Sequence, residues 1–120
     1  MILDIAYTQH QGTDWRYPVQ QDALWNSVDV IQSRNLHPAG LQTQADVVSL
    51  AVADGLGGTP YAERASRAVL EELAAAIQGG ALFDRGLVRR IHARLCDRLA
   101  FGETIGSATT LAAVQIQGEQ

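Results

Sequence analysis

Lysine is absent from this 120-residue sequence, and all nine basic residues are arginine. A guanidinium grips phosphate oxygens with a planar fork that an ammonium cannot offer. Cysteine is nearly absent too. Cys96 stands alone, so no internal disulfide forms and no cysteine-based metal site can be built. Its apolar-periodic surroundings make a small buried hydrophobe the expectation for it. No apolar run approaches the ~20 residues that span a bilayer, and residues 1–12 lack the basic lead-in of a secretion signal. The expected location is the cytoplasm, with no membrane partner. Positive charge is also in short supply. A formal charge of -4 weighs against nucleic acid as a partner, because a polyanion would meet net repulsion.

An apolar fraction of 47% is ordinary for a globular chain and too high for a disordered one. The length fits one domain or part of one. Residues 2–8 read as a strand on Ile2, Ile5 and Tyr7, followed by a turn-rich stretch at 9–21. Residues 22–31 read as a second strand, with Leu24, Val28 and Val30 on one face and Asn26 as a mismatch. Pro38 and Gly40 make 32–44 a surface loop. Residues 46–53 are almost continuously apolar, the pattern of a central strand buried on both faces.

Thr59 as N-cap and Pro60 at the first helical position predict a helix that Gly79-Gly80 stops. A second helix is expected from an Asp84 cap, carrying Leu87, Ile91, Leu95 and Leu99 at four-residue steps until Gly102 ends it. Residues 107–117 read as a last strand. Strands, two adjacent helices and a strand predict an α+β, layered arrangement with the helices antiparallel on a sheet.

The sharpest local signal is Asp54-Gly55-Leu56-Gly57-Gly58, where a strand ends and a helix follows. One reading is a glycine-rich turn without a ligand. A phosphate cradle of the G-x-G-x-x-G kind fails, since Pro60 takes the third glycine position and Asp54 would repel a pyrophosphate. The third reading makes Asp54 a metal ligand, with the Gly55 carbonyl beside it, in the oxygen-rich setting that Mg²⁺ and Mn²⁺ favour. That reading needs a second carboxylate. Asp22, at the start of the second expected strand, supplies one if the two strands are neighbours; otherwise it is a turn residue. His10, His37 and His92 show no ligand spacing and are expected to be solvated or structural.

Four segments together resemble bacterial phosphatases of the protein phosphatase 2C type. Gln20-Gln21-Asp22-Ala23-Leu24 is similar to that family's N-[QE]-D-A motif. Val52-Ala53-Asp54-Gly55-Leu56-Gly57-Gly58 resembles V-A-D-G-M-G-G, the most specific match. Ala62 and Ser66 fit the A-x-x-A-S helix, and residues 106–113 resemble the G-[ST]-T-hydrophobic strand. The resemblance implies a β-sandwich flanked by antiparallel helices, of which residues 1–120 would be the N-terminal part. It implies hydrolysis of phosphoserine and phosphothreonine in proteins by a water held between two Mg²⁺ or Mn²⁺ ions. Asp54 would bridge the metals, Gly55 would offer its carbonyl, and Asp22 would hold a metal or its waters. Arg16 would bind the substrate phosphate, although it lies one residue further from Asp22 than the family pattern has it.

The same resemblance marks three departures. Gln21 stands where some members carry Glu, and Leu56 where animal members often carry a general-acid His. The aspartates of the family's second half, in its S-D-G and D-N motifs, have no counterpart after Val114. A truncated chain, or one that needs a partner, is therefore expected, with little turnover from these 120 residues alone. The implied partners are a phosphoprotein substrate and a cognate serine/threonine kinase. The alternative is a catalytically inert module that docks on a kinase or a phosphoprotein.

Overall fold

The computed structural model describes residues 1–118. The elements run β1 (Ile2–His10), β2 (Asp22–Trp25), β3 (Val30–Ile31), β4 (Asn35–Gln44), β5 (Val47–Asp54), α1 (Ala62–Gln78), α2 (Arg85–Leu99), a 3₁₀ turn (Gly102–Thr104) and β6 (Ala112–Gln117). The architecture is α+β, with two antiparallel sheets and two helices. One sheet is the ribbon β1-β4, and the other has the order β3-β2-β5-β6.

Alternation on β5 sets the layers. Ala51 and Ala53, with Ala23 and Trp25 from β2, face α1, where they meet Val69, Leu70, Leu73 and Ala74; Leu87 and Ile91 of α2 complete this core. The opposite face carries Leu24 and Val48, both buried, with Ile5 from the ribbon buried as well. Near β6 that face stays open. Val52 is 57% exposed and Val114 is 49% exposed, so the expectation of a strand buried on both faces holds at Val48 and fails at Val52. An apolar groove of about 490 Å³ runs between ribbon and sheet, lined by Ile5, Tyr7, Leu50, Val52 and Val114 among others. β6 is an outer strand whose far edge pairs with no strand among the described residues.

Several local expectations need correction. Residues 22–31 form two strands, not one, because Asn26 turns the chain. Its Oδ1 accepts hydrogen bonds from the N–H groups of Val28 (3.0 Å) and Asp29 (2.7 Å), and Ser27 takes a left-handed φ of 81°. The expected loop at 32–44 contains β4. Gly40 sits opposite Ala6, and Pro38 falls where the register shifts near Tyr7 and Gln9, so its missing N–H interrupts little pairing.

α1 starts later than Thr59-Pro60, with Tyr61 at the N-cap in a left-handed conformation; the Arg64 guanidinium lies over its ring at 4.4 Å from the centroid. Its C-terminus is a Schellman motif. The Ala81 N–H reaches the Ala76 carbonyl and the Gly80 N–H reaches that of Ile77, each at 3.0 Å, with Gly80 at φ 89°. The Asp84 cap is as expected, accepting from the Leu87 N–H at 2.8 Å. α2 ends at Leu99, before Gly102. Cys96 is exposed rather than buried, its Sγ 3.6 Å from His92 Nε2 on the outward side of α2. The last strand is confined to β6, and residues 107–111 form its approach.

Candidate functional site

β2 and β5 are neighbours in antiparallel register, and the register sets Asp22 directly opposite Asp54. Each stands at the end of its strand, at one edge of the four-stranded sheet. The side chains open into a pocket of about 170 Å³ walled by the β1–β2 loop, with Gln11, Asp14, Tyr17 and Gln20 among its lining.

The backbone around the two acids is fixed from three sides. The Asp54 carbonyl accepts from the Thr110 N–H at 2.9 Å and from Thr109 Oγ1 at 3.1 Å, while the Asp54 N–H donates to Thr110 Oγ1 at 3.1 Å. The Gln21 carbonyl, one residue before Asp22, accepts from the Gly55 N–H at 3.0 Å and from Ser66 Oγ at 2.6 Å. Ser66, wholly buried on α1, thus ties the helix to the strand start that presents Asp22. Residues 107–111, expected as strand, act here as the clasp on Asp54. Among the described residues no hydrogen bond uses the Gly55 carbonyl.

Two carboxylates at adjacent register positions repel one another when both are ionised. The Asp22 carboxyl is pushed up to about 6 from 3.8, first by burial, then by a hydrogen bond to Asp54 that a protonated acid can donate, then by the negative charge of Asp54. Folding binds this proton more tightly than the unfolded chain does. The associated stability is therefore complete below about pH 3.8 and disappears as pH rises through about 6. Thermal unfolding followed from pH 4 to 7.5 should show wild-type stability falling across that window, by on the order of 1 kcal/mol once solvent screening is allowed for. Asp22→Asn should flatten the profile. A profile unchanged by that substitution would remove the acid pair as the cause.

As oxygen donors, Asp22 and Asp54 suit a hard divalent cation, while Gly55 is buried and does not line the pocket. The electrostatic strain of the acid pair is what such a cation relieves. The set is partial, because among the described residues no three His, Cys, Asp or Glu side chains gather closely enough to hold a metal ion. The remaining coordination would fall to water or to other oxygen donors.

Arg16 is not brought to the acid pair. It is exposed and held by Asp14, with Nη2 2.7 Å from Oδ2 and Nε 3.1 Å from Oδ1. This pairing holds the Asp14 carboxyl below its usual range. Asp14 and Tyr17 line the pocket although neither was singled out from the sequence. The spacing Asp14-x-Arg16, a local ion pair within a polar loop, was the available signal. Tyr17 packs on the glycine loop, where a Cβ added at Gly57 would meet its ring at 3.1 Å. No family model, curated protein or solved structure matches this chain. Among the described residues no helix is long and apolar enough to cross a membrane.

Proposed function

We propose that this chain carries part of a metal-dependent phosphoester-hydrolysing site of the protein phosphatase 2C type, acting on phosphoserine and phosphothreonine in proteins. The observation that carries the reading is the register pairing of Asp22 with Asp54 at one sheet edge. The four motif segments named above support it, since all four meet at this point. Gln21 and Asp22 lie on one side, Asp54 and Gly55 on the other, and Ser66 and Thr109-Thr110 clamp the backbone. In this reading the two sheets are the beginning of a β-sandwich with helices on its outer face. Mg²⁺ or Mn²⁺ bound there would supply water activation and neutralise charge on the phosphoryl group.

Asp22 and Asp54 would hold the cations, and the clasp of Thr109 and Thr110 on the Asp54 backbone would fix the strand end that presents its carboxylate. Arg16 meets the substrate phosphate only after exchanging Asp14 for it. The guanidinium is already oriented by that ion pair and both groups are exposed, so the exchange costs little. Completing the coordination would take water or oxygen donors other than Asp22 and Asp54. The substrate is a phosphoprotein, with a serine/threonine kinase as the opposing enzyme, and the setting is cytoplasmic.

The test has two readouts. Mn²⁺ titrated into the 120-residue chain should bind at least tenfold more tightly at pH 7.5 than at pH 5, because the cation must displace the shared proton. Asp54→Asn should remove the binding. The natural polypeptide that contains these residues should hydrolyse p-nitrophenyl phosphate with Mn²⁺, and Asp54→Asn should lower kcat by about 100-fold or more. Activity retained in that variant overturns the site. The partial donor set motivates a second reading, an inert module that docks on a kinase or a phosphoprotein. Phosphopeptide binding indifferent to EDTA, without hydrolysis, would decide for it.

A further inference from the structure

Charge on this molecule is segregated. Between Arg85 and Leu99, α2 carries five arginines against Asp97 alone, a net +4 on a chain whose total is -4, so the remainder carries -8. One of the five is neutralised by the neighbouring helix, and a second is held only loosely and stays largely exposed. Arg98 reaches Glu71 at 3.4 Å and Glu72 at 3.5 Å, and Arg94 reaches Glu72 at a loose 3.9 Å. Among the described residues Arg85, Arg89 and Arg90 pair with no carboxylate.

Arg90 and Arg94 stand one helical turn apart on the wall of a groove of about 400 Å³ between α2 and the C-terminal end of α1. The other wall is small and apolar, made by Ala75, Ala76 and Gly79, and Leu87 and Ile91 add apolar surface from α2. Two features could oppose an anion here, and both are already occupied. Glu72, a carboxylate on this wall, is shared by Arg94 and Arg98. The last carbonyls of α1 accept from the N–H groups of Gly79, Gly80 and Ala81.

We propose that this groove docks an acidic peptide segment. One apolar side chain would lie on the alanine and glycine wall, and two carboxylates about 6 Å apart, one turn of a helical peptide, would meet Arg90 and Arg94. The partner is inferred from charge complementarity. A basic strip over an apolar trough selects carboxylates flanking an apolar residue. The apolar wall of Ala75, Ala76 and Gly79 favours a segment that carries an apolar side chain between its charges over a nucleic-acid backbone, whose charge is continuous.

The probe is a fluorescein-labelled amphipathic peptide of about three helical turns, with leucine on one face and glutamates four residues apart beside it. Its control has every Glu replaced by Gln. Fluorescence anisotropy with the full chain should show saturable binding of the acidic peptide and at least tenfold weaker binding of the control. Raising salt from about 0.05 to about 0.5 M should weaken binding about tenfold. Arg90→Glu should weaken it at least tenfold, and Arg90→Glu with Arg94→Glu should abolish it. Arg34→Glu, an exposed arginine outside both helices, should leave affinity within twofold. That separates the groove from net charge. Circular dichroism melts of each variant check that the fold persists. No binding, equal affinity for the two peptides, equal losses in Arg34→Glu and Arg90→Glu, or tighter binding of a single-stranded oligonucleotide of equal charge would each overturn the proposal.

Discussion

Gly55→Ala is expected to destabilise the chain by about 3 kcal/mol or more, beyond the usual range for overpacking. A Cβ at this position would sit 2.5 Å from the Ala62 carbonyl oxygen, 2.7 Å from the Gln21 carbonyl oxygen and 2.8 Å from the Ala62 carbonyl carbon. All three are main-chain atoms, so no side chain can rotate out of the way. Relief requires α1 to move off the loop, or the Gly55 N–H to leave the Gln21 carbonyl, and the second route also displaces the strand start that holds Asp22. Stability and site geometry are therefore lost together. Denaturant unfolding should show the midpoint falling, with a drop in melting temperature of roughly 10 °C or more. Gly12→Ala is the control, since nothing lies within 4 Å of a Cβ there. Near-equal effects from the two substitutions would disprove the steric account.

Leu70→Ala should cost about 2–5 kcal/mol. Leu70 is 0% exposed in the cluster that joins α1 to β2, β5 and α2. Its neighbours in that cluster include Ala23, Ala51, Ala53 and Ala74, which have no spare length with which to fill a cavity. A cavity that cannot collapse costs the transfer free energy of the lost methyl groups and the contacts of its lining as well. Total stability for a domain of this size is of the order of 5–15 kcal/mol, so the substitution should bring the chain close to unfolding at 37 °C. Val88→Ala, on a residue 56% exposed, should stay within about 0.5 kcal/mol. A loss below about 1 kcal/mol for Leu70→Ala would mean that the helix–sheet core is looser than its burial indicates.

Much of the helical layer was legible from residues close together in sequence. The Asp84 cap, the Gly79-Gly80 stop and the leucine–isoleucine stripe of α2 each need only a few consecutive residues, because capping and helical periodicity are local. The Asp54-Gly55 break was legible for the same reason. Where competing local forces decided, the reading was wrong. Thr59-Pro60 offered a conventional helix start, yet α1 begins at Ala62 with Tyr61 as its N-cap, where an Arg64–ring contact accompanies a left-handed residue. Asn26 looked like a fault in a strand and is the residue that makes the turn. Cys96 followed the apolar period in the sequence but falls on the outward side of α2.

The sequence by itself determined the two helices, the strands at β1, β2, β5 and β6, the α+β class, the glycine-rich break and the two acids worth pairing, because each is written in short-range spacing and residue chemistry. Only the tertiary structure decided that Asp22 and Asp54 face one another, that Thr109 and Thr110 clasp Asp54 across more than fifty residues, and that Arg16 stays with Asp14. It also decided that residues 35–44 are a strand despite Pro38 and Gly40, since their partner is β1. The reason is common to all of these. Strand register is set by which faces become buried and by hydrogen bonds between segments distant in the chain, and no local pattern encodes a partner that far away.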